Sequence, residues 1–184
     1  MLEIVFYGRG GQGCLVASKI LAKSLFLNGK QVQAFPAFGG ERRGAPVKAF
    51  LRVDDKPIRR RSLIYKPDHA LVLDETLLDE VPIITEMSGG QSIVINTKKP
   101  LDFFSQIKAN IVTTIDANAI ARDLKLGSPT SPIINTIMLG AHLAAGQLVG
   151  FDQLIQAIKN GITQHSGKNI EGAQIAYQKC LNRK

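Results

Sequence analysis

The chain has 184 residues, of which 45% are hydrophobic and 21% charged, a composition that suits one folded domain and excludes a disordered chain. Its 23 Lys and Arg residues against 15 Asp and Glu residues give a formal charge of +8, which favours anionic partners without choosing among phosphates, nucleic acid, acidic proteins and anionic lipid. The two cysteines, Cys14 and Cys180, are too few for the usual four thiolate ligands of an iron–sulfur cluster or a structural zinc site.

Neither an export signal nor a membrane span is evident. The first seven residues lack the basic start and the cleavage site of a signal peptide. The apolar stretch at residues 133–149 is short for a span, and polar residues such as Asn135 and His142 interrupt it. We therefore predict a cytoplasmic protein that does not bind membranes.

The chain begins with a predicted strand, a glycine turn and a helix. Residues 2–7 form an apolar run typical of a strand, and the glycine turn occupies residues 8–13. Apolar residues then recur at helical spacing as far as Asn28-Gly29, where the helix is expected to end. A second strand is predicted at residues 31–35, followed by a loop that is rich in glycine.

Strands and helices alternate in the rest of the chain. Apolar runs bounded by turn residues predict strands at residues 47–53, 70–73, 92–95 and 111–115. Helices are predicted after Asp116 as N-cap, after Ser131 as N-cap with Pro132 at the first position, and at residues 152–162 and 170–181. This order predicts a single domain over residues 1–184 with an α/β, Rossmann-like fold, in which a mostly parallel sheet has helices on both faces.

The helix after Pro132 is apolar on most of its faces. It carries four small residues, Gly140, Ala141, Ala144 and Ala145, which allow close packing of helices. We expect this helix to be buried or to lie at a subunit interface, and residues 35–38 are apolar enough to belong to such an interface.

The first turn matches the pattern G-x-G-x-x-G at Gly8, Gly10 and Gly13. Between a strand and a helix, this pattern lets the backbone approach an anion held by the free N–H groups of the helix N-terminus. A dinucleotide site also needs an acidic residue at the end of the second strand, where this chain has Phe35-Pro36, and a P-loop needs Lys where Cys14 stands. The glycines therefore indicate either an anion site of another kind or a close crossing of strand and helix.

The segment Glu41-Arg42-Arg43-Gly44 is the most unusual in the sequence. Two adjacent arginines in a glycine-rich loop are able to bind a phosphate or carboxylate in two-point fashion. Glu41 is equally able to pair with either arginine and fix the loop, and the arginines are also suited to a subunit interface. These three interpretations stay open on residue type.

No catalytic or metal-binding set is predicted. Cys14 has no histidine or second cysteine near it in the sequence and is expected to be a small packing residue. The three histidines, His69, His142 and His165, lack the spacing of metal ligands, and His142 is expected to be a hydrogen-bonded core or interface residue. The adjacent acids Asp74-Glu75 point to opposite sides of a strand and make a poor catalytic pair.

A resemblance extends these inferences. The turn Arg9-Gly10-Gly11-Gln12-Gly13 and the longer stretch from Ala34 to Val47, with its Glu-Arg-Arg-Gly-Ala-Pro-Val end, resemble the gamma subunit of 2-oxoacid:ferredoxin oxidoreductases. The resemblance resumes from Ser131 to Ala141 and at Lys168-Asn169, so that it spans essentially the whole chain. The Glu41 to Val47 stretch favours the members of the family that act on pyruvate or a branched 2-oxoacid.

The resemblance implies a role within a larger enzyme. The complex decarboxylates a 2-oxoacid on thiamine diphosphate and magnesium, passes electrons through iron–sulfur clusters to ferredoxin or flavodoxin, and releases an acyl-CoA. The cofactors belong to other subunits (alpha, beta and a ferredoxin-like delta), so the chain is not expected to be active by itself. The resemblance also suggests that residues 8–13, Arg42 and Arg43 contact coenzyme A or a neighbouring subunit.

Two other functions remain open at this stage. The first is a stand-alone Rossmann-type oxidoreductase that binds a nucleotide, for which the sequence shows neither the ribose-binding acid nor a catalytic base. The second is a nucleic-acid-binding module, which only the positive charge suggests and no motif supports. We therefore predict no nucleic-acid partner.

Overall fold

A computed structural model describes residues 1–37, 43–87 and 89–182. The strands are β1 (Leu2–Arg9), β2 (Gln31–Pro36), β3 (Pro46–Asp54), β4 (His69–Val72), β5 (Ser92–Asn96), β6 (Ile111–Ile115), β7 (Gly127–Ser128) and β8 (Ser131–Pro132). The helices are α1 (Cys14–Leu27), α2 (Leu77–Glu80), α3 (Ile83–Glu86), α4 (Ala117–Asp123), α5 (Asn135–Gly146), α6 (Phe151–Gly161) and α7 (Ser166–Leu181), with a 3₁₀ helix at Leu101–Phe104.

Six strands form one sheet in the order β2-β3-β1-β4-β5-β6. Strands β1, β4, β5 and β6 pair in parallel, whereas β3 is antiparallel to both of its neighbours, β1 and β2. The predicted α/β fold with a mostly parallel sheet is confirmed. The strand β3 separates β1 from β2, so the second strand along the chain is not the neighbour of the first.

The two faces of the sheet have different covers. Helices α1, α4, α5, α6 and α7 pack on one face and share its apolar core. The opposite face is covered by the short helices α2 and α3, the 3₁₀ helix and a loop that contributes Ile64. Helices on both faces were predicted, and the long ones lie on a single face. None of the helices in the described ranges is long and apolar enough to cross a membrane.

Several predicted boundaries follow from local chemistry. Helix α1 ends at Leu27, next to the predicted Asn28-Gly29 stop, and Gly29 has a φ of +79°. Asp116 caps α4 as predicted, because its Oδ1 accepts a hydrogen bond from the Ala119 N–H at 2.8 Å. No strand follows β3 within residues 55–68.

The predicted start of the long apolar helix is also wrong. Ser131 and Pro132 form strand β8, which pairs with β7, and α5 begins at Asn135. The Ser131 N–H donates to the Ser128 hydroxyl at 3.0 Å, which holds the chain in a turn at this point. A serine that could cap a helix is instead part of a hairpin.

Helix α5 is the central helix of the fold. Eleven of its residues, Asn135 to Ala145, are buried, and it packs against α7 and the sheet. A Cβ atom placed on Gly140 would lie 1.9 Å from the Ala173 carbonyl oxygen of α7, so the two backbones meet at that glycine. Close packing at the small residues is confirmed. Of the two alternatives predicted for this helix, burial is confirmed and an exposed interface is wrong, because the chain itself covers the helix. Phe38 of the apolar residues 35–38 lies outside the described residues.

Candidate functional site

The glycine turn lies where β1 ends and α1 begins. Gly13 takes the N-cap position of α1 with a φ of +81°, which favours glycine, and no side chain caps the helix. Gly13 therefore supplies no side-chain acceptor to the first turn of α1. The N-terminus of α1 borders a cleft of about 270 Å³ lined by the turn, the first residues of α1 and the facing ends of β2 and β3.

Two of the glycines are also needed for close packing. A Cβ atom on Gly8 would lie 2.4 Å from the Cys14 Sγ atom, and one on Gly13 would lie 2.6 Å from the Asn135 Nδ2 atom. Cys14 is buried, in agreement with its predicted packing role. The close crossing of strand and helix is therefore real, and it coexists with the uncapped helix N-terminus.

Arg9 of the turn is held by acidic and neutral acceptors around the end of β4. Its Nε atom donates to the Asp74 Oδ2 at 3.2 Å, and its Nη2 atom donates to the Thr76 hydroxyl at 2.5 Å and to Glu80. Its Nη1 atom donates to the Gly44 carbonyl at 3.2 Å. The guanidinium thus ties the glycine turn to the loop after β4 and to the loop before β3.

Gln12 and Asp74 complete this network. The Gln12 Oε1 accepts from the Arg9 N–H at 2.8 Å, and its Nε2 donates to the Asp74 Oδ2 at 3.2 Å. Burial raises the pKa of the Asp74 carboxyl, but hydrogen bonds from Thr76, the charge of Arg9 and the contact with Gln12 outweigh it, so the pKa lies below its ordinary value. Asp74 therefore stays ionised and orients both side chains of the turn.

The segment Glu41-Arg42-Arg43-Gly44 contacts the glycine turn through the backbone of Arg43 and Gly44. Arg43 forms an isolated parallel bridge with Gly10, the Gly10 N–H donates to the Ala45 carbonyl at 2.9 Å, and the Gly44 N–H donates to the Gly10 carbonyl at 3.1 Å. The side chain of Arg43 is exposed. Arg42 and Glu41 lie outside the described residues.

A second polar cluster lies at the same edge of the sheet but on the face opposite α1. Tyr7 donates its hydroxyl hydrogen to Glu86, and the Lys48 Nζ binds both oxygens of Glu86 at 2.8 and 3.0 Å. Burial, with the Glu86 hydrogen bond and charge, raises the pKa of Tyr7 well above its ordinary value. Tyr7 is therefore a neutral donor that binds the end of α3 at Glu86. The polar groups of Tyr7, Lys48 and Glu86 pair with one another.

The sequence did not indicate the partners of Arg9. Asp74, Thr76 and Glu80 are recognisable only once β4 is known to lie beside β1, since the carboxyl ends of adjacent parallel strands meet at one edge of the sheet. Polar residues directly after an apolar strand are the signal that could have found them.

The geometry suits binding better than catalysis. Within the described ranges, the residues around the turn offer hydrogen-bond donors and one exposed arginine but no nucleophile beside a base. A dinucleotide of the usual kind is disfavoured as well, because β3 takes the place next to β1 from which an acid would reach the ribose.

Comparison with known proteins identifies relatives of this arrangement. The model of the family "Pyruvate ferredoxin/flavodoxin oxidoreductase" matches residues 3–179. The chain is 45% identical over 186 residues to the "Pyruvate/ketoisovalerate oxidoreductases common subunit gamma" of Thermococcus litoralis, and the match covers 98% of both chains.

Solved structures show the same fold. The pyruvate oxidoreductase subunit PORC of Thermotoga maritima is 31% identical with a TM-score of 0.79, and the match covers 96% of this chain and 95% of that one. A 2-oxoglutarate:ferredoxin oxidoreductase of Magnetococcus marinus has a TM-score of 0.72 at 17% identity, covering 100% of this chain and 31% of that chain. With a family model and near full-length relatives in agreement, the chain belongs to the pyruvate ferredoxin/flavodoxin oxidoreductase family.

Proposed function

We propose that this chain is the gamma subunit of a 2-oxoacid:ferredoxin or flavodoxin oxidoreductase and functions as one part of the assembled enzyme. The similarity to a curated gamma subunit along 98% of both chains carries this proposal. Pyruvate or a branched 2-oxoacid is the proposed substrate class, in line with the names of that relative and of the Thermotoga subunit. The single domain over residues 1–184 and a cytoplasmic location remain predictions.

The reaction is divided between subunits. The whole enzyme would decarboxylate the 2-oxoacid, transfer the acyl group to coenzyme A and deliver the electrons to ferredoxin or flavodoxin. Thiamine diphosphate, magnesium and the iron–sulfur clusters are proposed to reside in alpha, beta and delta subunits, since the two cysteines of this chain are both buried and too few for a cluster.

For this chain we propose a role in holding the phosphates of coenzyme A. The uncapped N-terminus of α1 and the cleft of about 270 Å³ beside it fit a phosphate group, and the exposed Arg43 is tied to the same turn through Gly10. The related Magnetococcus enzyme was solved with coenzyme A and succinyl-CoA. Residues 8–13, Arg42 and Arg43 are the proposed contacts, either with coenzyme A or with a neighbouring subunit.

The isolated chain is expected to be catalytically silent. The measurement is 2-oxoacid-dependent reduction of a viologen dye by the pure chain, supplied with thiamine diphosphate, magnesium and coenzyme A, beside the assembled complex as the positive control. Turnover of the isolated chain at a rate comparable to the complex would contradict the proposed division of labour.

Replacing each arginine of the loop separately, Arg42→Lys and Arg43→Lys, tests the coenzyme A role. Lysine keeps the charge but loses the planar two-point grip on a phosphate. In the assembled complex we expect the Michaelis constant for coenzyme A to rise about tenfold, because a charge-assisted hydrogen bond contributes about 1.5–3 kcal/mol. Decarboxylation of the oxoacid without coenzyme A should persist.

Three other outcomes are distinguishable in that experiment. Weaker assembly with an unchanged Michaelis constant would assign the arginines to a subunit interface. Loss of decarboxylation with a normal coenzyme A response would place them at the thiamine step and contradict the proposal. Unchanged kinetics and assembly would mean that the loop is structural. Arg122→Lys, at an exposed position of α4 to which no role is assigned, is the matched control and should behave as the native complex does in this assay.

A further inference from the structure

A fully buried arginine, Arg52, lies on β3, one strand in from the edge of the sheet. Arg52 of β3 has a relative exposure of 0%, and its register partners on the two neighbouring strands are Glu3 of β1 and Gln33 of β2. Its Nε atom donates to the Glu3 Oε1 at 2.7 Å, and its Nη1 donates to the Gln33 Oε1 at 3.3 Å. Burying a guanidinium is unfavourable unless its donors are satisfied, so the position of Arg52 calls for an explanation.

The remaining donors of Arg52 hold a surface loop. Its Nη1 donates to the Arg60 carbonyl at 3.3 Å and its Nη2 to the Ser62 carbonyl at 2.6 Å. Ile64, at the end of the loop, is buried in the core of the same face. The Arg52 guanidinium and the buried Ile64 side chain therefore hold the backbone of this loop against the sheet.

The fixed loop presents a cluster of cations to solvent. Arg59, Arg60 and Arg61 are consecutive and exposed, and the side chain of Arg60 keeps 57% of its surface open while it lies 3.6 Å from Glu3. Leu63 and Tyr65 beside them are 40% and 69% exposed. We call residues 59–65 the basic loop.

The basic loop is remote from the glycine turn. It lies where β1 and β4 begin and β3 ends, whereas the turn lies where β1 ends. The eight residues of β1 separate the two by about 23 Å at the usual rise of a strand. A phosphate group bound at the glycine turn therefore does not contact the basic loop.

We propose that the basic loop is a docking surface for an acidic protein that binds reversibly. Three guanidinium groups on a pre-ordered backbone offer charge complementarity to clustered carboxylates without the ordering cost of a flexible segment. Arginine and tyrosine are the side chains that contribute most to protein interfaces. A surface this rich in charge resembles a transient contact, since permanent interfaces are more apolar.

The surroundings favour a protein over a continuous polyanion. Asp55, at the start of the same connection, has a side chain that is 80% exposed, but its Oδ1 atom is paired with the Lys30 Nζ atom at 2.6 Å, so its charge does not decide between partners. A nucleic-acid backbone offers phosphates to the arginines but no apolar surface to cover the exposed Leu63 and Tyr65 side chains. A folded partner can place its carboxylates opposite the arginines while its apolar groups cover Leu63 and Tyr65.

The test compares two variants that lose equal charge. One replaces Arg59, Arg60 and Arg61 with glutamine, and the control replaces the exposed Lys19, Lys23 and Lys159 with glutamine. The probe is a fluorescent poly-L-glutamate of about 20 residues, titrated with the full chain at low and physiological salt. We expect the arginine variant to bind about tenfold more weakly at low salt and the lysine variant to bind within about threefold of the native chain.

A second variant tests the buried anchor. Arg52→Lys keeps all three exposed arginines and the total charge but lacks the donors to reach both loop carbonyls, and we expect it to weaken poly-L-glutamate binding by about threefold or more. Equal losses in the arginine and lysine variants would overturn the proposal, because charge alone would then explain binding. So would tighter binding of double-stranded DNA or phosphatidylserine vesicles than of poly-L-glutamate, with the same dependence on Arg59 to Arg61.

Discussion

Replacing Gly140 with alanine is expected to lower the free energy of unfolding by about 2–4 kcal/mol. The added methyl group would lie 1.9 Å from the Ala173 carbonyl oxygen and within 2.8 Å of the Ala173 Cα, which are backbone atoms of α7 and cannot rotate away. Helices α5 and α7 would have to separate, and α5 is buried along nearly its whole length. Urea unfolding followed by circular dichroism measures the change.

Gly167→Ala is the matched control. Gly167 lies in the first turn of α7, and a Cβ atom there meets nothing within 4 Å. Alanine has the higher helix propensity, so this variant is expected to gain a few tenths of a kcal/mol up to about 1 kcal/mol. Similar effects of the two substitutions would show that helix propensity, and not the contact with Ala173, determines the role of Gly140.

The features of the fold that the sequence predicts are those with local causes. Gly13 must adopt a positive φ to turn β1 into α1, and Asp116 caps α4 with its own side chain, so each signal is complete within a few residues. The apolar runs of β4, β5 and β6 also indicate their own burial. Such elements are recognisable without knowledge of their neighbours.

The features that escape prediction depend on contacts between distant residues. Ser131 has the chemistry of a helix cap, yet pairing with Ser128 takes it into a hairpin. The helix that contains Gly140 reads equally well as an interface or a core helix, and the contact with α7 decides between them. The residue types along a helix do not indicate whether another part of the same chain or another subunit covers its apolar surface.

The candidate site divides in the same way. The glycine turn and its helix were predicted at the right residues, because Gly8, Gly10 and Gly13 let the chain turn directly from β1 into α1. The network around Arg9 was not, since Asp74 and Glu80 are more than 60 residues away in the chain. The sequence also did not indicate that β3 separates β1 from β2, which places the end of β2 one strand further from the glycine turn.

His142 is expected to make the protein sensitive to acid. Its ring lies edge-on to that of His69 with 5.4 Å between centroids. Both of its nitrogens are buried without a hydrogen-bond partner in the described part of the chain, so His142 is a core residue as predicted but the predicted hydrogen bond is wrong. Burial, assisted by the nearby His69, lowers the pKa of His142 to about 3. Burial also lowers the pKa of His69, whose Nδ1 lies 2.7 Å from the Ser92 hydroxyl, although Asp68 acts in the opposite direction.

The direction of the pH effect follows from these pKa values. An unfolded chain protonates its histidines near pH 6.5, whereas the folded chain holds His142 neutral down to about pH 3. Below pH 6.5 the unfolded state therefore binds more protons, and the free energy of unfolding falls by about 1.4 kcal/mol per pH unit for this group. Above pH 6.5 neither state is protonated, and the contribution vanishes.

The substitution His142→Leu isolates this effect. Between pH 7.5 and pH 5.0 the native chain should lose about 2 kcal/mol more unfolding free energy than the leucine variant, because leucine has no proton to bind and no nitrogens to leave unpaired. The exposed His165, replaced by asparagine to suit its φ of +55°, is the control and should retain the native pH dependence. An identical pH dependence of the native chain and the His142→Leu variant, measured by urea unfolding at both pH values, would mean that His142 is not held neutral in the folded state.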